Sequence, residues 1–486
     1  MRVPRIRRRS PAGERPPAEV DDDGPRAPAP TELDRLVGWL DERTGAAEVA
    51  RVVLRKVFPD HWSFLLGEIA LFSYIVLFAT GLYLTFFFTA DTRSVTYAGS
   101  YAPLDGAEVS AAFDSVMRLS FDVRAGLLFR QVHHWAALVF LAAIVVHASR
   151  VFFTGAFRRP REINWLIGMT LLLLGLAAGI TGYSLPDDLL SGTGLRIVYS
   201  VVLSIPFVGP WLAYLVFGGD FPTTELISRL YVFHIMLLPL LMIGAITIHL
   251  LILFLQKHTQ FRGGLATEGR VVGRHFWPGQ AFRSLGLLFV TAAVLALLGG
   301  LVQINPVWVY GPYVPSAAAS PAQPDWYVGW LEGALRLGPN WEPTVLGVTI
   351  PSPFLPGIVV PAIIFGGIML WPFVEARVSG DRGEHHLLDL PWEAPVRSAV
   401  GSAVLTLFVV LTLAGANDVL AVLFNVDVEA LTAAFRILLI VAPLIVGLVA
   451  YRLAIEIRAR SGRPLGPEGG SVIRRTNDGG FEEVEP

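Results

Sequence analysis

Two apolar stretches each carry a pair of histidines: His133 and His147 within RQVHHWAALVFLAAIVVHASR (130–150), and His234 and His249 within RLYVFHIMLLPLLMIGAITIHLLILF (229–254). On a helix the first pair is separated by about 40° and ~21 Å, the second by about 60° and ~22 Å. An imidazole in hydrocarbon is costly without a partner. If the two helices run parallel, their histidines meet as two facing pairs at matched depths. Imidazoles on facing helices of a bundle can hold a haem iron by both axial positions; alone, they could relay protons. Two glycine pairs repeat the spacing: Gly67 with Gly81, and Gly168 with Gly182. Glycine at those levels would let a flat macrocycle come close to the backbone. Arg130 and Arg150 bracket the first histidine pair and would neutralise haem propionates or snorkel to the interface. His134 is turned from His147 by about 140° and points away from that column, toward a neighbouring helix or subunit.

Positioning these groups requires membrane helices. The 486-residue chain is 53% hydrophobic and 16% charged, with a mean hydropathy of +0.56. Eight runs are near the ~20 residues that cross a bilayer core: 64–89, 131–154, 163–183, 230–256, 284–303, 353–374, 398–416 and 433–455. The expected fold is an all-α integral membrane protein, an N-terminal four-helix dihaem bundle followed by four C-terminal helices. Arginine collects before the first helix and in 155–162, 257–283, 375–397 and the tail. By the positive-inside rule both termini are cytoplasmic and the long connections 184–229 and 304–352 lie outside. The chain divides into an extension (1–58), a dihaem bundle domain (59–256), a linker (257–283), a C-terminal membrane domain (284–456) and a tail (457–486). Residues up to about Pro30 read as disordered and lack an apolar signal-peptide core; residues 31–58 read as one amphipathic helix. No internal repeat is evident. The absence of cysteine excludes a thiolate-held iron–sulfur cluster, a thioether-attached haem and a disulfide.

With the histidine and glycine pairs, GYSLP (182–186), PDWY (324–327) and SIPFVGPWLAYLVFGGDF (204–221), the chain resembles the cytochrome b subunit of the quinol–cytochrome c oxidoreductase (cytochrome bc) family over most of residues 60–455. The resemblance implies two non-covalent haems b. His133 and His234 would ligate the low-potential haem iron near the outer surface, and His147 and His249 the high-potential one near the cytoplasm. Quinol would be oxidised at an outer site formed by Pro324, Asp325, Trp326 and Tyr327. One electron would go to a Rieske iron–sulfur subunit and the other through the haems to a cytoplasmic quinone site. Asp325 would accept a quinol proton, since a desolvated carboxylate has its pKa raised. The family more often has glutamate there, so Tyr183 or Tyr327 would share the role. Implied partners are the Rieske subunit, a c-type cytochrome subunit, a second copy of the complex, and membrane lipid, with no nucleic acid.

The 15-residue spacing in the second histidine helix is like the plastid type, whose extra covalent haem needs a cysteine that is missing here. QKHTQF (256–261), the extension and the tail look more like actinobacterial forms, which use menaquinol and join cytochrome c oxidase in a supercomplex. His258 would bind the cytoplasmic quinone or simply lie at the surface; His61, His275, His385 and His386 read as ordinary interface or loop residues. A dihaem cytochrome serving a dehydrogenase or ferric reductase would need neither PDWY nor the last four helices, and a haem-free transporter would often show inverted repeats and helices broken at mid-membrane, neither of which is evident. Replacing His133 or His234 should remove one b-type band from the reduced-minus-oxidised spectrum. Replacing His134 should leave both bands; losing one would overturn the register.

Overall fold

The computed structural model describes residues 31–317, 323–461, 472–475 and 481–484; the disorder expected before Pro30 lies outside this range. The described residues 31–56 belong to one compact unit. Its helix Glu32–Thr44 starts at a capping box in which Thr31 and Asp34 exchange side-chain and backbone hydrogen bonds. The helix ends at Gly45, whose φ of 62° is left-handed, and a second helix follows over Ala46–Arg55. The single amphipathic helix expected over 31–58 is therefore two, because glycine at this position breaks the hydrogen-bond ladder.

From Val57 onward the chain packs as a second unit built on eight helices long and apolar enough to cross a membrane. They are α1 (Trp62–Thr85), α2 (Gly126–Phe153), α3 (Glu162–Tyr183), α4 (Leu226–Leu255), α5 (Phe276–Leu301), α6 (Leu355–Ser379), α7 (Pro395–Gly415) and α8 (Val428–Arg460). All eight expected spans are present, with ends that differ from the expected ones by up to eight residues. α5 begins eight residues early, where a wider π-turn over Phe276–Gln280 lets the Gln280 amide donate to Glu68 at 2.8 Å. α8 overruns its apolar segment by five residues at each end. Asp427 caps its start, accepting from the Ala430 N–H, and a Glu456–Arg460 ion pair one turn apart carries its end onward.

Helix α1 packs on α2, α3 on α4, α5 on both α1 and α2, and α7 on α8. Phe140, Leu141, Trp165, Met169, Tyr327 and Phe365 form the core where α2, α3 and α6 meet. Connections alternate between two faces, called here upper (the His133 end) and lower. The upper face carries most of the extra structure: helices Ala111–Phe121, Leu189–Leu203, Gly209–Phe217, Trp326–Leu337 and Asn417–Phe424. The lower connections are short and tied together. Gln260–Phe261 pairs in parallel with Leu387–Leu388. Arg397, 4% exposed, binds Glu375 and Asp389, and Asp389 also takes Arg158 at 2.9 Å. His386 is buried and bonded to Arg161 at 2.7 Å, so it belongs to this latch.

Two consequences can be measured. Arg397→Ala would take a buried guanidinium from Glu375 and leave Asp389 with Arg158 as its near cation; it should cost about 3 kcal/mol, read as a lower midpoint of thermal inactivation of the membrane complex. On the upper face, burial raises the Asp187 carboxyl to about 6, with Ser110 bonding it and Asp188 beside it. Its folded-state pKa exceeds the unfolded one, so the fold holds more protons and stability falls as pH rises from about 4 through 6. Asp187 has a φ of 53°, which asparagine also tolerates. Asp187→Asn should therefore gain on the order of 2 kcal/mol at neutral pH and nothing near pH 4, checked by melts at both values.

Candidate functional site

The four histidines lie inside the first four helices, each facing one of the four glycines. A Cβ added to Gly81 would stand 3.1 Å from the His133 ring, and one on Gly67 3.2 Å from His147. On α3, the same addition brings Gly168 to 3.4 Å of His249 and Gly182 to 2.4 Å of His234. Real Cβ atoms do not sit that close, so only glycine admits the rings at Gly182. The pairing is α1 with α2 and α3 with α4, at an upper and a lower level. Both histidine helices run from the upper to the lower face, which makes them parallel, as their register requires.

At the upper level the rings of His133 and His234 are 6.1 Å apart, centroid to centroid, at 75°. That leaves room for one metal atom between two ring nitrogens at ordinary metal–nitrogen distances of about 2 Å. The hydrogen bonds of the rings fix which nitrogen is free. His234 Nδ1 lies 3.0 Å from the Ala178 carbonyl, which can only accept, so Nδ1 carries the proton and Nε2 a lone pair. Thr80 donates its hydroxyl hydrogen to Val76 O at 2.7 Å and therefore accepts from His133 Nδ1 at 2.9 Å. Both rings are thus oriented through their Nδ1 atoms, as metal-binding imidazoles commonly are.

The arginines suit the edge of such a group. Arg130 donates to Asn305 O at 3.0 Å but keeps a buried Nε without a partner, as does Arg150 beneath the Phe64 ring, 4.6 Å away. Two buried guanidiniums with spare donors fit two carboxylates of a ligand. The residues present therefore fit haem, with His133, His234, Gly81, Gly182 and Arg130 at one level and His147, His249, Gly67, Gly168 and Arg150 at the other.

The upper histidines open onto a cavity of about 460 Å³ that Asp325, Tyr327, Tyr183 and His134 also line. Asp325 stands at the start of helix Trp326–Leu337, yet its side chain does not cap that helix. Instead it accepts from Tyr327 Oη at 3.0 Å and meets His134 Nε2 at 2.9 Å. Burial, with the Asp325 carboxylate alongside, drives the Tyr327 phenol well above its ordinary pKa, so it stays a donor. Tyr183 Oη is buried with no partner, and burial also raises Asp188 nearby. Pro324 and Trp326 flank Asp325 without lining this cavity. His258, 8% exposed, packs against Phe58 at the lower face, with ring centroids 4.4 Å apart and the planes tilted by 43°.

His134 did point away from the histidine column, but it is not idle: it holds Asp325. Thr80 and Thr181 also went unread, although each directly precedes an upper glycine. Thr80, Gly81, His133 and Gly67 recur 101 residues later as Thr181, Gly182, His234 and Gly168, so α1–α2 and α3–α4 repeat one another. Only His147 breaks the count, recurring 102 residues later as His249. The extra residue sits in a π-turn over Phe233–Leu237, where Leu238 N–H reaches Phe233 O, next to Pro239. The 15-residue spacing thus follows from one wider turn, and the expectation that no repeat exists is corrected.

Residues 138–312 match the family model for cytochrome b(N-terminal)/b6/petB. The chain is 45% identical over 457 residues to the cytochrome bc1 complex cytochrome b subunit of Streptomyces coelicolor, covering 93% of this chain and 83% of that one. The protein of the same name from Mycobacterium leprae is 47% identical over 93% and 82%, and that of Corynebacterium diphtheriae 46% over 92% and 82%. Among solved structures, a hyperthermophilic respiratory Complex III shares the fold, with a TM-score of 0.60 at 20% identity over 86% of this chain and 100% of that one. With its histidines, glycines and eight apolar helices so arranged, the chain belongs to the cytochrome b subunits of actinobacterial cytochrome bc1 complexes, haem b oxidoreductases spanning the bacterial plasma membrane many times.

Proposed function

We propose that this chain holds two haems b and oxidises quinol on its upper face, which faces outward. The observation that carries the reading is Asp325: released from capping, held by His134 and Tyr327, and placed in the wall of the cavity shared by His133 and His234. The orientation is supported by Arg158, Arg159, Arg161, Arg262, Arg270 and Arg274 at the lower face. When bound at the two levels, the haems would supply a one-electron path across the membrane.

The chain's own residues handle protons and position. A quinol hydroxyl brought to Asp325 would give its proton to a carboxylate oxygen of that residue, the group that His134 and Tyr327 orient. Tyr183, with an unused buried hydroxyl, offers a second hydrogen bond to the same headgroup. Released protons leave on the outer face, past Asp188 and Asp187. At the lower face His258, with His61 packed against Phe261 at 4.6 Å between ring centroids, would frame the site where quinone is reduced.

The electron acceptor outside would be a Rieske iron–sulfur subunit, followed by a c-type cytochrome subunit. A polar recess of about 750 Å³ beside helix Leu189–Leu203, lined by Arg196, Ser200, Tyr313 and Asn340, offers a docking surface on that face. The substrate would be menaquinol, and the complex a dimer associated with cytochrome c oxidase.

Asp325→Asn should lower quinol oxidation by about 100-fold while both b-type bands and both haems per chain remain. An Asp325→Asn complex with full turnover would overturn the assignment of that residue. Gly182→Leu should displace His234 and remove one haem, counted by pyridine haemochrome; two haems in that variant would refute the upper level.

A further inference from the structure

Helix Trp326–Leu337, which follows directly on Asp325 and carries Tyr327, is seated on α7 backbone against backbone. A Cβ added to Gly333 would stand 1.8 Å from Leu411 O, and one on Gly415 2.3 Å from Gly329 O. Such contact fixes the distance between the two helices. It supplies no hydrogen bond to the segment that enters helix Trp326–Leu337, where the Asp325 side chain leaves the cap position unfilled.

That segment is tied to Asp418, on the short helix Asn417–Phe424 between α7 and α8. The Gln323 amide donates to Asp418 Oδ1 at 2.9 Å. Arg336, in the last turn of helix Trp326–Leu337, reaches the same oxygen at 2.8 Å and donates to Oδ2 at 3.3 Å. One carboxylate thus takes a donor from each end of a 12-residue helix, about 18 Å long. Arg336 is itself oriented by Glu332 one turn earlier, which accepts from its Nε at 3.0 Å, and by the Asn417 side-chain carbonyl. The Asn417 amide in turn donates to Thr432 on α8 at 2.8 Å.

Between Gln323 and Asp325 there is only Pro324, whose ring locks its own φ near −65°. A shift of Gln323 is therefore passed to Asp325 with little slack. Asp325 meets His134 at 2.9 Å and Tyr327 at 3.0 Å, and hydrogen bonds weaken steeply when such geometry is lost. Neither Gln323 nor Asp418 lines the upper cavity, so both act on it from behind. The Asp418 side chain is 44% exposed, and an ion pair so open contributes little to stability. What it does govern is where the two ends of the helix stand.

We infer that Asp418 is a positioning residue for quinol oxidation: by binding Gln323 and Arg336 it clamps both ends of helix Trp326–Leu337 and sets the place of the Asp325 carboxylate. This rests on the quinol-oxidising reading above and extends it to the connection between α7 and α8. A displacement of about 1 Å at a reacting group can cost on the order of 100-fold in rate. Loosening the clamp should therefore act on kcat more than on KM. The histidine and glycine levels belong to α1–α4 and share no residue with the clamp, so haem binding should not feel it.

The test uses the intact membrane complex with menaquinol as electron donor. Asp418→Ala should lower kcat by about tenfold and change KM by no more than roughly twofold. Both b-type bands, the haem content and the midpoint of thermal inactivation should stay as they are. Asp418→Asn keeps a carbonyl oxygen for Gln323 and should restore kcat to within about threefold of the unaltered complex. Gln323→Leu should reproduce Asp418→Ala, and the double variant should be no slower than the slower single one, because both changes cut one linkage. If Asp418→Ala does not assemble, Gln323→Leu carries the test, since it leaves Arg336 and Asp418 paired. Full turnover in both single variants, a loss seen in KM with kcat intact, no recovery with asparagine, or additive losses in the double variant would overturn the positioning role. If the unaltered complex does not oxidise menaquinol, or Asp325→Asn turns over fully, the quinol-oxidising reading itself fails, which separates the two ideas.

Discussion

Everything in the first four helices depends on how closely a histidine ring can approach the backbone opposite it. Four glycines give up their side chains so that four imidazoles can sit within about 3.1–3.4 Å of where a Cβ would be, and closer still at Gly182. That contact sets the distance between α1 and α2 and between α3 and α4. It also ties the ligands to a fixed depth, because the histidine cannot slide without meeting the first side chain above or below. Helix packing in a membrane has no hydrophobic drive between helices, so small residues and polar contacts must fix the spacing.

Two clusters of polar groups bear on the site. At the lower end they form a closed latch, with Arg397 and Arg158 sharing Asp389 and Arg161 holding His386. Around the upper cavity they are deliberately unfinished: Arg130 Nε, Tyr183 Oη and an Asp188 oxygen are buried with no partner among the described residues. A satisfied network rigidifies; an unsatisfied one marks where something else must bind.

Much of this could be read from the sequence, for a physical reason. Hydrocarbon forces each span into one long apolar run, so all eight helices were visible, and a lone histidine in such a run stands out. The helix ends at Phe276 and Val428 were hidden because polar residues there look like loop until a cap or a π-turn is seen. The upper helices such as Leu189–Leu203 were not separable from the connections that hold them. His134 showed its direction but not its partner, since Asp325 lies 191 residues away. The 101-residue repeat was masked because only a few positions carry it, the rest being interchangeable apolar residues.

The π-turn at Phe233–Leu237 has a further meaning for α4 as a whole. It lies at His234, near the upper end, and Pro239 directly after it has no N–H with which to restore an ordinary turn. The wider turn offsets the rotation of the lower segment from that of the upper one, like the two scales of a vernier. One segment can be tuned for the upper ring and the other for the lower, even though both belong to a single continuous rod. In α2 no such adjustment exists, and one rotation must serve both levels.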